Sequence, residues 1–208
     1  MKRTLTIACC CAAIAIGTAS PARAQSVIEA SGGWTTPLSD IRSTLSTGWD
    51  VDFAAGRQFS GWFSLLGEFG YSVMPVKQSV LLQLQAPNGR GQILTLGIEP
   101  EVRFPVSKTL HGFIAGGVDL VHRNVKLTSP SVQTVDTSIG IQDITILNVI
   151  SDVSRTGIGE HFGAGVAYPI AAIGADLFVQ IRYFRASTPP EATAMLPVMF
   201  GLRWTGQH

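Results

Sequence analysis

The stretch that decides the fold is Ile93–Phe104, ILTLGIEPEVRF. Taken at every second residue it separates into two surfaces. Leu94, Leu96, Ile98, Val102 and Phe104 make one, and Thr95, Gly97, Glu99, Glu101 and Arg103 the other. Successive side chains of an extended chain point to opposite faces, so this alternation predicts a strand with one apolar and one polar side. DLFVQIRYFR repeats the scheme, setting Leu177, Val179, Ile181 and Tyr183 against Asp176, Phe178, Gln180 and Arg182. Near the end of the chain AMLPVMFGLRW does so again, with Leu196, Val198, Phe200, Leu202 and Trp204 opposite Pro197, Met199, Gly201 and Arg203.

Eight segments carry such patterning: 26–35, 47–57, 62–73, 92–104, 109–123, 157–168, 174–186 and 194–204. They are spaced unevenly in a regular way. Short connections (QFSG, PVSK, PIAAI) alternate with longer ones at 36–46, 74–91 and 124–156, and 187–193 comes last. A soluble sandwich has no reason to sort its connections, whereas a barrel inserted in a membrane places short turns on one side and loops on the other. Segment lengths also suit tilted membrane-crossing strands of about 9–11 residues. Trp34, Trp49, Trp62, Tyr71, Phe104, Tyr168, Tyr183 and Trp204 fall near segment ends, where interfacial aromatic girdles form.

The start of the chain points the same way. Met1-Lys2-Arg3 precedes an apolar run from Leu5 to Ile16, and Ala22-Arg23-Ala24 has the small-x-small form of a cleavage site. About a dozen apolar residues are too few to span a bilayer as a helix. Residues 1–24 are therefore expected to be a signal peptide cleaved after Ala24, leaving 25–208 as one barrel domain of 208 − 24 = 184 residues. Cys9, Cys10 and Cys11 leave with it, so no disulfide framework or thiolate metal site is expected. Loss of Lys2, Arg3 and Arg23 takes the net charge from +1 to +1 − 3 = −2, which argues against a nucleic-acid partner. Hydrophobic residues make up 46% of the chain and mean hydropathy is +0.29, yet 25–208 holds no run of 18 apolar residues. Apolarity without membrane helices is what alternating strands produce.

VIEASGGW (27–34), GAGVAY (163–168) and LPVMFGLRW (196–204), with the export signal, resemble the outer-membrane β-barrel domain family, the small OmpA- and OmpX-like barrels of Gram-negative bacteria. The resemblance covers essentially all of 25–208. It implies an all-β, eight-stranded antiparallel up-and-down transmembrane β-barrel in the outer membrane, with lipid and the barrel-assembly machinery as partners, a monomeric state and no particular activity. Members often end on an aromatic residue, whereas here Trp204 is followed by Thr205, Gly206, Gln207 and His208.

In that fold Leu94, Leu96, Ile98, Leu177, Val179, Ile181, Leu196, Val198, Phe200, Leu202 and Trp204 face lipid. The opposite faces fill the tube with Glu29, Asp50, Asp52, Glu68, Glu99, Glu101, Asp119 and Asp176 against Arg103, Arg123, Arg182 and Arg203, with His111 and His161. Eight strands leave an interior only wide enough for side chains. Buried charges must pair or be hydrated, so a salt-bridged plug with some water is expected rather than an open pore.

Chemical alternatives find little support. Glu99 and Glu101 share a face as an acid/base pair would, but such pairs are ordinary in polar lumens. His111 and His161 lie on different segments without metal-ligand spacing. Neither begins the His-x-Ser element of the lipid A deacylase barrels, since His111 precedes Gly112-Phe113 and His161 precedes Phe162-Gly163. GAGVAY and IAAIGA match no phosphate-binding pattern. No catalytic residue, cofactor or metal is expected, and the role expected is structural or surface interaction. A narrow solute channel and a soluble calyx-like binder of hydrophobic ligands, apolar faces inward, are the alternatives. The 124–156 connection reads as strand extensions above the membrane. Ten strands is the alternative, disfavoured because SVQTVDTS is too polar for lipid.

Overall fold

In a computed structural model, residues 24–137, 140–189 and 191–206 are described. Residues 1–23, all but the last residue of the expected signal 1–24 and including its cysteines, lie outside the described residues. The alternating segments become β1 (Gln25–Leu38), β2 (Gly48–Ser60), β3 (Phe63–Pro75), β4 (Asn88–Pro105), β5 (His111–Thr137), β6 (Gly140–Ile170), β7 (Ala175–Ser187) and β8 (Thr193–Thr205). Each pairs antiparallel with its sequence neighbours, and β1 with β8, so the sheet closes as an eight-stranded up-and-down barrel. The ten-stranded alternative is excluded. Residues around 124–156 lengthen β5 and β6 into one hairpin instead of adding strands.

The register sets the shape. Partners run from Ile28 through Ala55, Gly67, Ile98, Val118, Glu160, Arg185 and Ala194 back to β1 at Leu38, an offset of 38 − 28 = 10 residues. Ten residues at ~3.3 Å set against eight strands at ~4.8 Å correspond to a tilt of about 40°. On β4 the outward apolar run from Leu94 to Phe104 then stands about 25 Å tall, the height of a transmembrane apolar band.

The apolar faces look outward. Leu96, Ile98, Ile181 and Phe200 are exposed, as are Phe53, Val118, Leu120 and Phe162 on the strands between. A soluble calyx would bury these faces, so that alternative is overturned. Trp34, Trp49, Tyr71 and Tyr183 lie toward the loop end of the band, with Trp49 and Tyr71 edge to face at 5.6 Å. Trp62, Phe104, Tyr168 and Trp204 lie at the turn end. Amphipathic rings favour such interfacial levels.

Two prolines interrupt the ladder from inside it. The β4–β5 pairing stops at Ile98↔Val118 and resumes at Glu101↔Ala115, skipping Pro100. The β7–β8 pairing stops at Ile181↔Val198 and resumes at Phe184↔Met195, skipping Pro197. A proline has no N–H to donate, so the break falls where one is missing. Gly117 lies in the first gap, and a Cβ there would come within 2.1 Å of the Ile98 carbonyl oxygen.

At the loop end, a 3-10 turn (Ser39–Ser43) follows β1 and a short helix α1 (Gln78–Gln83) follows β3. The two loops are stitched together by Ser46 N–H to the Pro75 carbonyl (2.9 Å) and Lys77 N–H to the Thr44 carbonyl (2.8 Å). Beyond Thr128 β5 has left β4, and before Ile158 β6 has not reached β7. The hairpin between them stands alone as a two-stranded ribbon.

Candidate functional site

Strand alternation delivers the charged residues to the interior in layers. Nearest the turn end, Arg103 pairs with Asp176 at 2.8 Å, with Glu101 4.0 Å from its Nε. Above it Arg203 binds Glu101, reaches Glu29 at 2.9 Å and donates to the Ser64 hydroxyl at 2.8 Å. The middle layer centres on Arg182, which binds Glu68, donates to Glu99 at 2.9 Å and lies 3.7 Å from Asp52. His161 follows, its Nδ1 2.7 Å from Asp119 and its Nε2 3.0 Å from Glu99. Carboxylates at both ring nitrogens suit an imidazolium, which donates from both. Asp50 accepts from the Ser72 hydroxyl at 2.9 Å.

These groups come from all eight strands. A guanidinium has five N–H donors in a planar fork and can bridge several carboxylates at once, which is how three arginines serve most of the eight acids. The acids still outnumber the cations. Glu29, Asp50, Asp52, Glu68, Glu99, Glu101, Asp119 and Asp176 face Arg103, Arg182, Arg203 and His161, and an Oδ of Asp50 and an Oε of Glu68 have no hydrogen-bond partner. Glu68, Glu99 and His161 bring ligand-capable atoms within 4.8 Å of one another, but Arg182 already donates to both of those carboxylates.

Arg123 is a correction. It points inward as expected, yet it joins no ion pair among the described residues and takes no part in the lumen network. An apolar layer separates it from the acids below. Ile41, Leu45, Met74, Val76, Ile93, Val121, Phe184, Ala186 and Met195 form one buried cluster across the loop end of the tube. Ile41, from the 3-10 turn, and Leu45 fold inward over the opening, and Leu45 forms an isolated bridge with Val76. His111 sits at the opposite, turn end, away from His161.

This apolar plug is missed when each strand is assigned a single polar face. Its signal is a change along that face near the loop ends: Thr95 gives way to Ile93, Asp119 to Val121 and Arg182 to Phe184. The plug closes a charged lumen against the loop side. Burying a large aliphatic side chain contributes about 1.5–3 kcal/mol, and several stack here.

Among solved structures the chain is similar to neisserial surface protein A (TM-score 0.58, 15% identity, covering 86% of this chain and 96% of that one). It is also similar to a major outer membrane protein from Thermus thermophilus (TM-score 0.60, 13% identity, 88% and 100%). At such identities the likeness is one of fold: the chain has the architecture of the small outer-membrane β-barrels. No protein-family model matches the sequence. No curated protein matches it either.

Proposed function

We propose that the chain is an integral outer-membrane protein working as a closed scaffold, neither conduit nor enzyme, which displays its loops and the β5–β6 hairpin on the outer side. The observation that carries this reading is the plugged lumen inside an apolar outer belt. The belt suits lipid as solvent, with Leu94, Leu96, Ile98, Leu177, Val179, Ile181, Leu196, Val198, Phe200, Leu202 and Trp204 on the lipid side. The inner acids and arginines hold the wall together, and the plug removes the route a solute would need. At the base of the β5–β6 hairpin Val149 and Ile150 are exposed, apolar groups available for surface contacts. Export by a signal cleaved after Ala24, insertion by the barrel-assembly machinery and a monomeric state complete the proposal.

Membrane fractionation with and without boiling before electrophoresis tests the location. The expected result is outer-membrane recovery and a band that shifts on heating; a soluble periplasmic monomer would overturn it. Planar-bilayer recording tests the closure. A silent or sporadically conducting protein is expected, and steady single-channel conductance would replace the scaffold reading with a channel.

A further inference from the structure

Above the plug, at the mouth of the barrel, lies a cavity of about 320 Å³. We propose that it binds a single-chain amphiphile with an anionic head, of the fatty-acid type. Its walls are apolar, with Ile41, Leu45 and Val125 among them, and its polar groups include Arg123, Arg155 and Glu191.

The two arginines face each other directly across the β5–β6 ladder. Like charges in that position repel, so the pair lowers its energy by sharing an anion. Arg123 is only 7% exposed and makes no hydrogen bond or ion pair among the described residues. Arg155 spends one donor on the Ser154 carbonyl at 2.9 Å. Glu191 lines the same space but forms no ion pair with either arginine, which leaves the lining one positive charge in excess. The outward residues His122, Asn124 and Lys126 are polar, so this part of β5 stands clear of the apolar belt.

Arg123 is a nearly buried residue whose guanidinium keeps free N–H donors toward the cavity, and a carboxylate matches it by accepting two parallel bonds. The apolar walls then call for an alkyl chain behind that head. The volume lies at the lower end of the ~300–1,000 Å³ typical of ligand pockets, which suits one chain rather than a multi-chain lipid. Exposed Leu84 and Val153 at the rim let a ligand enter from outside. The site rests on the geometry of the mouth and does not depend on whether the lumen conducts.

The test is a calorimetric titration of the full barrel in lipid nanodiscs with decanoate, decanol and decyltrimethylammonium, subtracting empty nanodiscs. Saturable decanoate binding is expected, tighter than either other head by about tenfold or more, the low end for hydrogen bonds to a charged group. Octanoate should bind about 15-fold more weakly than decanoate, from two CH₂ groups fewer. Arg123→Gln and Arg155→Gln should each weaken decanoate about tenfold and leave decanol unchanged. Binding no greater than to empty nanodiscs, equal affinity for decanoate and decanol, or unaltered decanoate binding by both variants would overturn the proposal. If Arg123→Gln loses its heat-shifted band, the three-headgroup comparison on the unaltered protein and Arg155→Gln decide the matter.

Discussion

Arg182 is the sharpest point at which to strain the lumen. The residue is 7% exposed, and its guanidinium is shared among Glu68, Glu99 (2.9 Å) and Asp52 (3.7 Å). Arg182→Met keeps the length of the side chain and removes the charge. The carboxylates then remain buried, with His161, among the described residues, the one cation left within 4.0 Å of Glu99 and Glu68. Removing one partner of a buried ion pair costs about 3–5 kcal/mol, chiefly because the other charge stays desolvated. A loss in that range should appear as a lower urea midpoint for the barrel in lipid vesicles, read by the heat-shifted band. At about 1–3 kcal/mol per molar urea the displacement is about 1 M at the least. The cycle with the partners is the discriminating part. Asp52→Asn/Glu68→Gln/Glu99→Gln/Arg182→Met should recover to within about 1–2 kcal/mol of the unaltered protein, because none of the carboxylates that met Arg182 is then left charged and unpaired. Arg57→Gln, on the exposed outer face of β2, is the control and should change stability by less than about 0.5 kcal/mol. If Arg182→Met costs under about 1 kcal/mol, or if its effect simply adds to those of the carboxylate changes, the layer is hydrated rather than ion-paired and the reasoning fails.

Leu96→Arg or Ile98→Arg should oppose insertion by about 2–4 kcal/mol near the midplane, measured as loss of folded band after refolding into vesicles. Arg103→Ala should still insert and weaken the barrel through Asp176, and equal behaviour of the two classes would refute the inside/outside assignment. Phe184→Ala, in the plug, should destabilise by about 3–5 kcal/mol in the same urea assay. Gly117→Ala places a methyl against the Ile98 carbonyl and 2.9 Å from the His161 ring. It should cost about 1–3 kcal/mol, while Gly61→Ala, with open space around it, should be nearly neutral.

Much of this architecture was legible in the chain because a strand has a period of two. Once Leu94, Leu96 and Ile98 share a face, Glu99, Glu101 and Arg103 must share the other, whatever the rest of the molecule does. Connection lengths carried the strand order, since hairpins of alternating length close only as an up-and-down sheet. Pro197 was harder. Its missing N–H calls for a strand end or a bulge, but the structure instead opens the β7–β8 ladder around it inside β8. The plug escaped because Ile93, Val121 and Phe184 lie on the polar face of their strands, and each looks like a local exception. Their common purpose appears only when eight strands bring them to one level and the loop residues Ile41 and Leu45 fold in to meet them.

Periodicity and connection length, both local properties of the chain, determined the strands, their two faces and the direction of each charged side chain. Which acid meets which arginine was decided by the ten-residue stagger. Closure with that offset sets partners such as Arg182 and Glu68, separated by 114 residues, at one level of the tube. The same offset lifts Arg123 above the apolar layer and away from the acids it would otherwise join. Alternation tells a side chain to point inward, but only the closed, tilted sheet sets its height.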